Sequence, residues 1–178
     1  MEFDRHGWVV NPREPLPIGR SYTLLSPEAS SRMDIAFWAH KARTFFKTSI
    51  ELGQAKAYPN GQGPDQDAVW VDVLREHPKK AERPTRVLLL TFPLEIAPAL
   101  RQAGEQGAAA IGGAGMDALV ARAKRAWQID NEVAEGGDPQ TPLLLAAILA
   151  SIFLAPIVPV GGGTIFGVKG ARERLGLS

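Results

Sequence analysis

Between Asp138 and Lys169 the chain runs for thirty residues without one ionisable side chain. Inside that run, residues 143–160 read LLLAAILASIFLAPIVPV. A chain carrying such a segment must either bury it completely or hand it to a membrane. Crossing a hydrocarbon core takes about 20 predominantly apolar residues, so the length suffices. Wound as a helix, the segment has no polar face: Leu144, Ile148, Ser151 and Ala155 fall on one side, and Leu145, Leu149, Ile152 and Pro156 on the next. A surface helix would show a charged stripe. A chain of 178 residues is one ordinary domain plus an appendage, and a domain of that size rarely encloses a helix on every side. Residues 141–168 are therefore expected to form a hydrophobic membrane segment, transmembrane or re-entrant. In it Leu143, Leu144, Ile148, Phe153 and Pro156 would meet lipid or partner helices.

Two features bear on how such a segment would sit. Pro156 and Pro159 kink a helix, and the stretch VGGGTIFGV that follows is a weak helix former. Its Gly163 and Gly167 make a GxxxG spacing, which lets two membrane helices approach closely. Charge places the basic tail, residues 169–178, on the cytoplasmic side, with Lys169, Arg172 and Arg174 at headgroup level. The acidic linker 130–140, with Asp130, Glu132, Glu135 and Asp138, would then lie opposite, although the first thirty residues hold no apolar run of signal-peptide length. A re-entrant segment keeps both ends on one side. It needs protein around its bent backbone, because lipid cannot satisfy freed amides. The expected location is a membrane, the inner one were the source bacterial, with the remainder of the chain cytoplasmic by default.

Residues 1–129 read as one compact α+β domain. Trp8-Val9-Val10 and residues 20–25 have strand character, and prolines 12, 15 and 17 exclude helix between them. Ser26-Pro27 signals a helix start, and residues 28–52 carry Ile35, Trp38, Ala39, Ala42, Phe45, Phe46 and Ile50 along one helical stripe. Strands follow at 68–74 and 86–92, the second apolar throughout as in a strand covered on both faces. Pro98 predicts a short or kinked helix after it, and residues 104–115 a small-residue loop. Met116, Leu119, Val120, Ala123 and Trp127 then predict a helix over 116–133. The sum is a small antiparallel sheet with amphipathic helices on one face, followed by the hydrophobic helix.

Candidate chemistry is sparse. The chain has no cysteine, which excludes disulfides, thiol nucleophiles and cysteine metal sites. GGGTIFGVKG fails as a phosphate loop, because Val168 separates Gly167 from Lys169 and Gly170 stands where Ser or Thr is required. GEQGAAAIGGAGMD lacks the spacing of a dinucleotide turn. His6, His40 and His77 are not at metal-ligand spacing from one another. Asp72 and Glu95, near strand ends, are the one candidate carboxylate pair. The apolar run contains no histidine to ligate a haem and no charge for a proton relay, so no cofactor is expected. A net charge of +1 offers no global field for nucleic acid, and Glu28, Asp34 and Glu51 dilute the basic face of the 28–52 helix.

These readings lead to a non-catalytic accessory subunit, anchored by its C-terminal segment in a larger membrane-protein complex that it stabilises or positions. Trp38, Phe45 and Phe46 would supply a further partner or membrane-surface contact. The competing expectations are a membrane-inserting toxin or its immunity partner, a soluble enzyme or ligand-binding domain with a buried C-terminal helix, and a homo-oligomer that buries the apolar run between subunits.

Overall fold

Alternating valines at 69, 71 and 73 and an unbroken apolar run at 87–90 form two neighbouring strands of the sheet. The computed structural model describes residues 14–53, 63–76 and 83–177, together with 2, 4 and 5. Its strands are β1 (Ser21–Ser26), β2 (Thr48–Leu52), β3 (Asp67–Arg75), β4 (Thr85–Pro93), β5 (Arg125–Asp130) and β6 (Ile157–Val158). Its helices are α1 (Ile35–Phe46), α2 (Pro98–Ala109), α3 (Met116–Arg122), α4 (Thr141–Phe153) and α5 (Val168–Arg174). The strands form one sheet in the order β2-β3-β4-β5-β1-β6, with every pairing antiparallel. The α+β class and the antiparallel sheet thus stand as expected. The strand expected at Trp8-Val9-Val10 lies outside the described residues.

Register sorts the side chains between two faces. Ile50, Val69, Val71, Val73, Val87, Leu89, Trp127, Ile129, Leu24 and Ile157 share one face and one core with α1, α4 and α5. Leu25, Phe92, Ala126 and Val158 point the other way and pack under α2 and α3. Helices therefore cover both faces, not one. Further along this second face, Leu16 packs on Ala68, Leu88 and Leu90. Leu16 is pinned there by buried Gln128, whose Oε1 accepts its N–H at 2.6 Å and whose Nε2 donates to its carbonyl at 2.9 Å.

Three elements differ from the sequence-based expectation, each for a local reason. The 28–52 helix is shorter: it starts after Asp34, whose carboxylate accepts the Phe37 N–H, and stops at Lys47 in a left-handed conformation (φ 49°). Thr48–Leu52 then pairs with β3, so Ile50 is a strand residue. Pro98 opens α2 at its first turn, where a missing N–H costs nothing, and the helix runs on through 104–109. The 116–133 helix is divided, because Arg125–Asp130 is a strand between β4 and β1.

The largest correction concerns the apolar run. α4 has 13 residues, roughly 20 Å of helix against a hydrocarbon core of about 30 Å. Among the described residues no helix is long and apolar enough to cross a membrane. α4 lies on the sheet between α1 and α5, and ten of its residues are buried. It lacks a polar face because sheet and neighbouring helices cover nearly all of it, and Ala146, Ala147 and Ala150 leave room for them. Leu154, left-handed at φ 53°, ends the helix, and buried Pro156 leads into β6. The final helix, α5, is short and carries Arg172 and Arg174 in its last turn.

Candidate interaction surface

α1 carries two parallel rows of side chains at four-residue spacing. Trp38, Ala42 and Phe46 form the inner row and are buried. Trp38 meets Trp127 edge-on at 5.7 Å and Phe153 at 5.8 Å, while Trp127 and Phe153 stack at 4.8 Å. Phe37, Lys41 and Phe45 form the outer row, with Phe37 45% and Phe45 53% exposed. The Lys41 ammonium lies 5.6 Å from the Phe37 ring centroid and 4.8 Å from that of Phe45, a cation–π bridge along the helix. Phe37 also borders a depression of about 220 Å³ whose far wall is Ile152 and Phe153. Next to that wall stands Leu154, 74% exposed.

Leu154 is doubly unfavourable as a folding choice. The left-handed conformation at a helix C-terminus favours glycine and costs other residues about 1–2 kcal/mol. Its side chain, 74% exposed, recovers little by burial. Phe37 stands beside that end of α4, whereas Phe45 lies at the other end of the α1–α4 pair, beside Leu144.

The other residues expected to touch lipid or a partner are placed differently. Leu144, Ile148, Phe153, Pro156, Trp38 and Phe46 are buried in the core of the fold, and Leu143 packs half-buried against it. Gly163 and Gly167 lie in the β6–α5 connection, not on a helix, so their GxxxG spacing forms no helix-packing face. Gly163 helps to seat α2 instead, since a Cβ on Gly107 would strike its carbonyl oxygen. Lys169 is exposed. Arg174 lies 3.8 Å over the Phe166 ring, and Arg172 donates to the Phe45 carbonyl at 2.9 Å.

Asp72 and Glu95 do not meet. Asp72 forms a two-point pair with Arg86 at 2.9 and 3.0 Å, and Glu95 follows the far end of β4, roughly 23 Å of strand away. His40 is exposed on α1, whereas His6 and His77 lie outside the described residues. No group of three His, Cys, Asp or Glu among the described residues is placed to hold a metal ion.

Arg125, within the expected 116–133 helix, is instead a buried residue at the start of β5. Its Nε donates to the Ala29 carbonyl at 2.7 Å, and its Nη1 to the Asp65 carbonyl at 2.8 Å and Thr91 Oγ1 at 3.3 Å. Burial pushes its guanidinium below the ordinary value, and the charges of Asp65 and Asp67 oppose that shift. Arg125 thereby ties three chain segments together. It also borders a depression of about 390 Å³ with Glu95, Arg101 and Lys124. Arg101 is engaged too, donating to the carbonyls of Val120 and Ala123. Arg125 and Arg101 hold backbone here, and their arrangement is that of a structural clamp.

No protein-family model matches this chain, and the searches of curated proteins and of solved structures return no significant match.

Proposed function

We propose that this chain is a non-catalytic accessory subunit that docks on a larger protein assembly through Phe37, Phe45 and Leu154, and stabilises or positions it. The observation that carries this reading is Leu154, an exposed leucine held in a conformation better suited to glycine. A partner that covers it turns both costs into binding energy. Burying the exposed parts of two phenyl rings adds about 1 kcal/mol each, and aromatic anchors are typical of interface centres. Lys41 between the rings favours a partner with an acidic rim. The described residues supply no spanning helix, so in a membrane assembly the spans would come from the partner.

Cross-linking in the native cell, followed by titration of the purified pair, tests the reading. The triple variant Phe37→Ser, Phe45→Ser, Leu154→Gly should bind its partner at least ten-fold more weakly while unfolding at an unchanged or higher denaturant concentration. Equal affinity of the triple variant, or cross-links confined to the α2–α3 side, refutes it.

A further inference from the structure

Where β3 ends, three cations converge on a groove of about 250 Å³ that shares only Phe45 with the docking surface: Lys47, Arg75 and Arg172. Arg75 is the informative one. Its Nε stands 4.0 Å from Asp138, and its Nη2 is buried with no hydrogen-bond acceptor among the described residues. The Asp138 carboxylate is already engaged, accepting the Gln140 N–H at 2.9 Å through its other oxygen. A buried guanidinium nitrogen without an acceptor is costly, because it has lost water and gained nothing. The side chain as a whole keeps 25% of its surface exposed, and a guanidinium offers two parallel donors to a carboxylate or phosphate.

The surroundings add to this in two ways. Leu144, in the first turn of α4, lines the groove, so the positive end of that helix dipole lies beside it. The rest of the wall is apolar: Phe45, Phe46 and Leu177, with the Arg172 guanidinium 5.1 Å from the Phe46 ring centroid. Among the described residues Glu76 is the single acidic one in the lining, against three cations. The volume falls below the 300–1,000 Å³ of drug-sized pockets, which selects a small ligand.

We infer that this groove binds a small organic anion, a carboxylate or phosphate carried on a short apolar or aromatic group, with Arg75 as the principal anion ligand. The oxyanion sits between Arg75, Lys47 and Arg172, and the apolar group lies against Phe45, Phe46 and Leu177.

Calorimetric titration of the full chain with four probes tests the site: phenyl phosphate, benzoate, neutral benzyl alcohol and inorganic phosphate. Phenyl phosphate or benzoate should bind, benzyl alcohol should not, and inorganic phosphate should bind at least ten-fold more weakly than phenyl phosphate. Which of the first two binds more tightly tells phosphate from carboxylate. Arg75→Met keeps the apolar stem and removes the charge. It should weaken anion binding at least ten-fold without lowering the thermal midpoint of the free protein, because it also removes the unpaired nitrogen. Arg86→Met, on the opposite face of the sheet, should leave binding unchanged. Absence of binding by both organic anions, equal binding of benzyl alcohol, equal binding of inorganic phosphate, or an Arg75→Met variant that binds as the parent does overturns the inference. An Arg75→Met variant that melts lower than the parent would show the arginine to be structural and overturns it equally.

Discussion

Truncating Ile148 to alanine separates a core helix from a membrane segment. Ile148 is fully buried in the middle of α4. Its truncation deletes three carbons, about 2.4 kcal/mol of transfer free energy at about 0.8 kcal/mol each. A cavity adds to that, because the sheet on one side and the flanking helices on the others cannot collapse into the space. Fully buried Ile and Leu sites lose about 2–5 kcal/mol in all, and the enclosed position puts this one near 4 kcal/mol. That is a large part of the roughly 5–15 kcal/mol that holds a domain together. For a chain of this size a urea slope of about 2.5 kcal/mol per molar turns the loss into a midpoint shift of about 1.5 M. Were the segment in lipid, the same change would alter insertion by only about 0.5 kcal/mol. The assay is urea unfolding without detergent, followed by tryptophan fluorescence, to which Trp127 stacked on Phe153 contributes. A midpoint shift below about 0.4 M, or a parent protein that stays folded only in detergent, refutes the core assignment.

Two further outcomes are expected. In Gly107→Ala the new Cβ would run into the Gly163 carbonyl and Ile165. Overpacking by about 1–3 kcal/mol outweighs the roughly 1 kcal/mol helix preference of alanine, so the thermal midpoint should fall by a few degrees; a rise contradicts the close approach of α2 to the glycine loop. Burial pushes the Tyr22 phenol above its ordinary value, against a smaller opposite effect of Arg174. The unfolded phenol then ionises first, so the contribution of Tyr22 is intact below about pH 10 and declines as pH rises beyond it. Ultraviolet titration should show a late phenolate step that Tyr22→Phe abolishes, and its persistence in that variant contradicts the assignment.

Local chemistry made part of this fold legible. The alternation around Val69, Val71 and Val73, and the unbroken apolar run of β4, needed no tertiary information to be read as strands. Asp34 and Lys47 bound α1, but nothing local marks them as decisive, since Ala39, Ala42, Phe45 and Ile50 continue one helical stripe across the break. β5 was obscured in the same way. Trp127 continues the helical spacing of Leu119, Val120 and Ala123, and the strand wins because β4 and β1 supply hydrogen-bond partners on both of its edges. At the candidate surface, Phe37 falls off the apolar stripe, among His40, Arg43, Thr44 and Lys47, and the sequence shows that much. Phe45 was read as part of the inner stripe and lies on the outer row. Arg75 and Arg125 gave no signal, because an arginine at a strand end looks the same whether its guanidinium is solvated or buried.

The sequence by itself determined that residues 143–160 must be removed from water, since a helix with no polar face has no stable solvated arrangement. It also determined the absence of cysteine chemistry and the antiparallel α+β composition. Tertiary structure decided where the apolar run goes. Hydrophobicity states only the cost of exposure and is silent on which apolar medium removes it. The sheet on one side and α1 and α5 on the others cover a 13-residue helix almost completely, and the sheet beneath it is continuous only once β5 has joined β4 to β1.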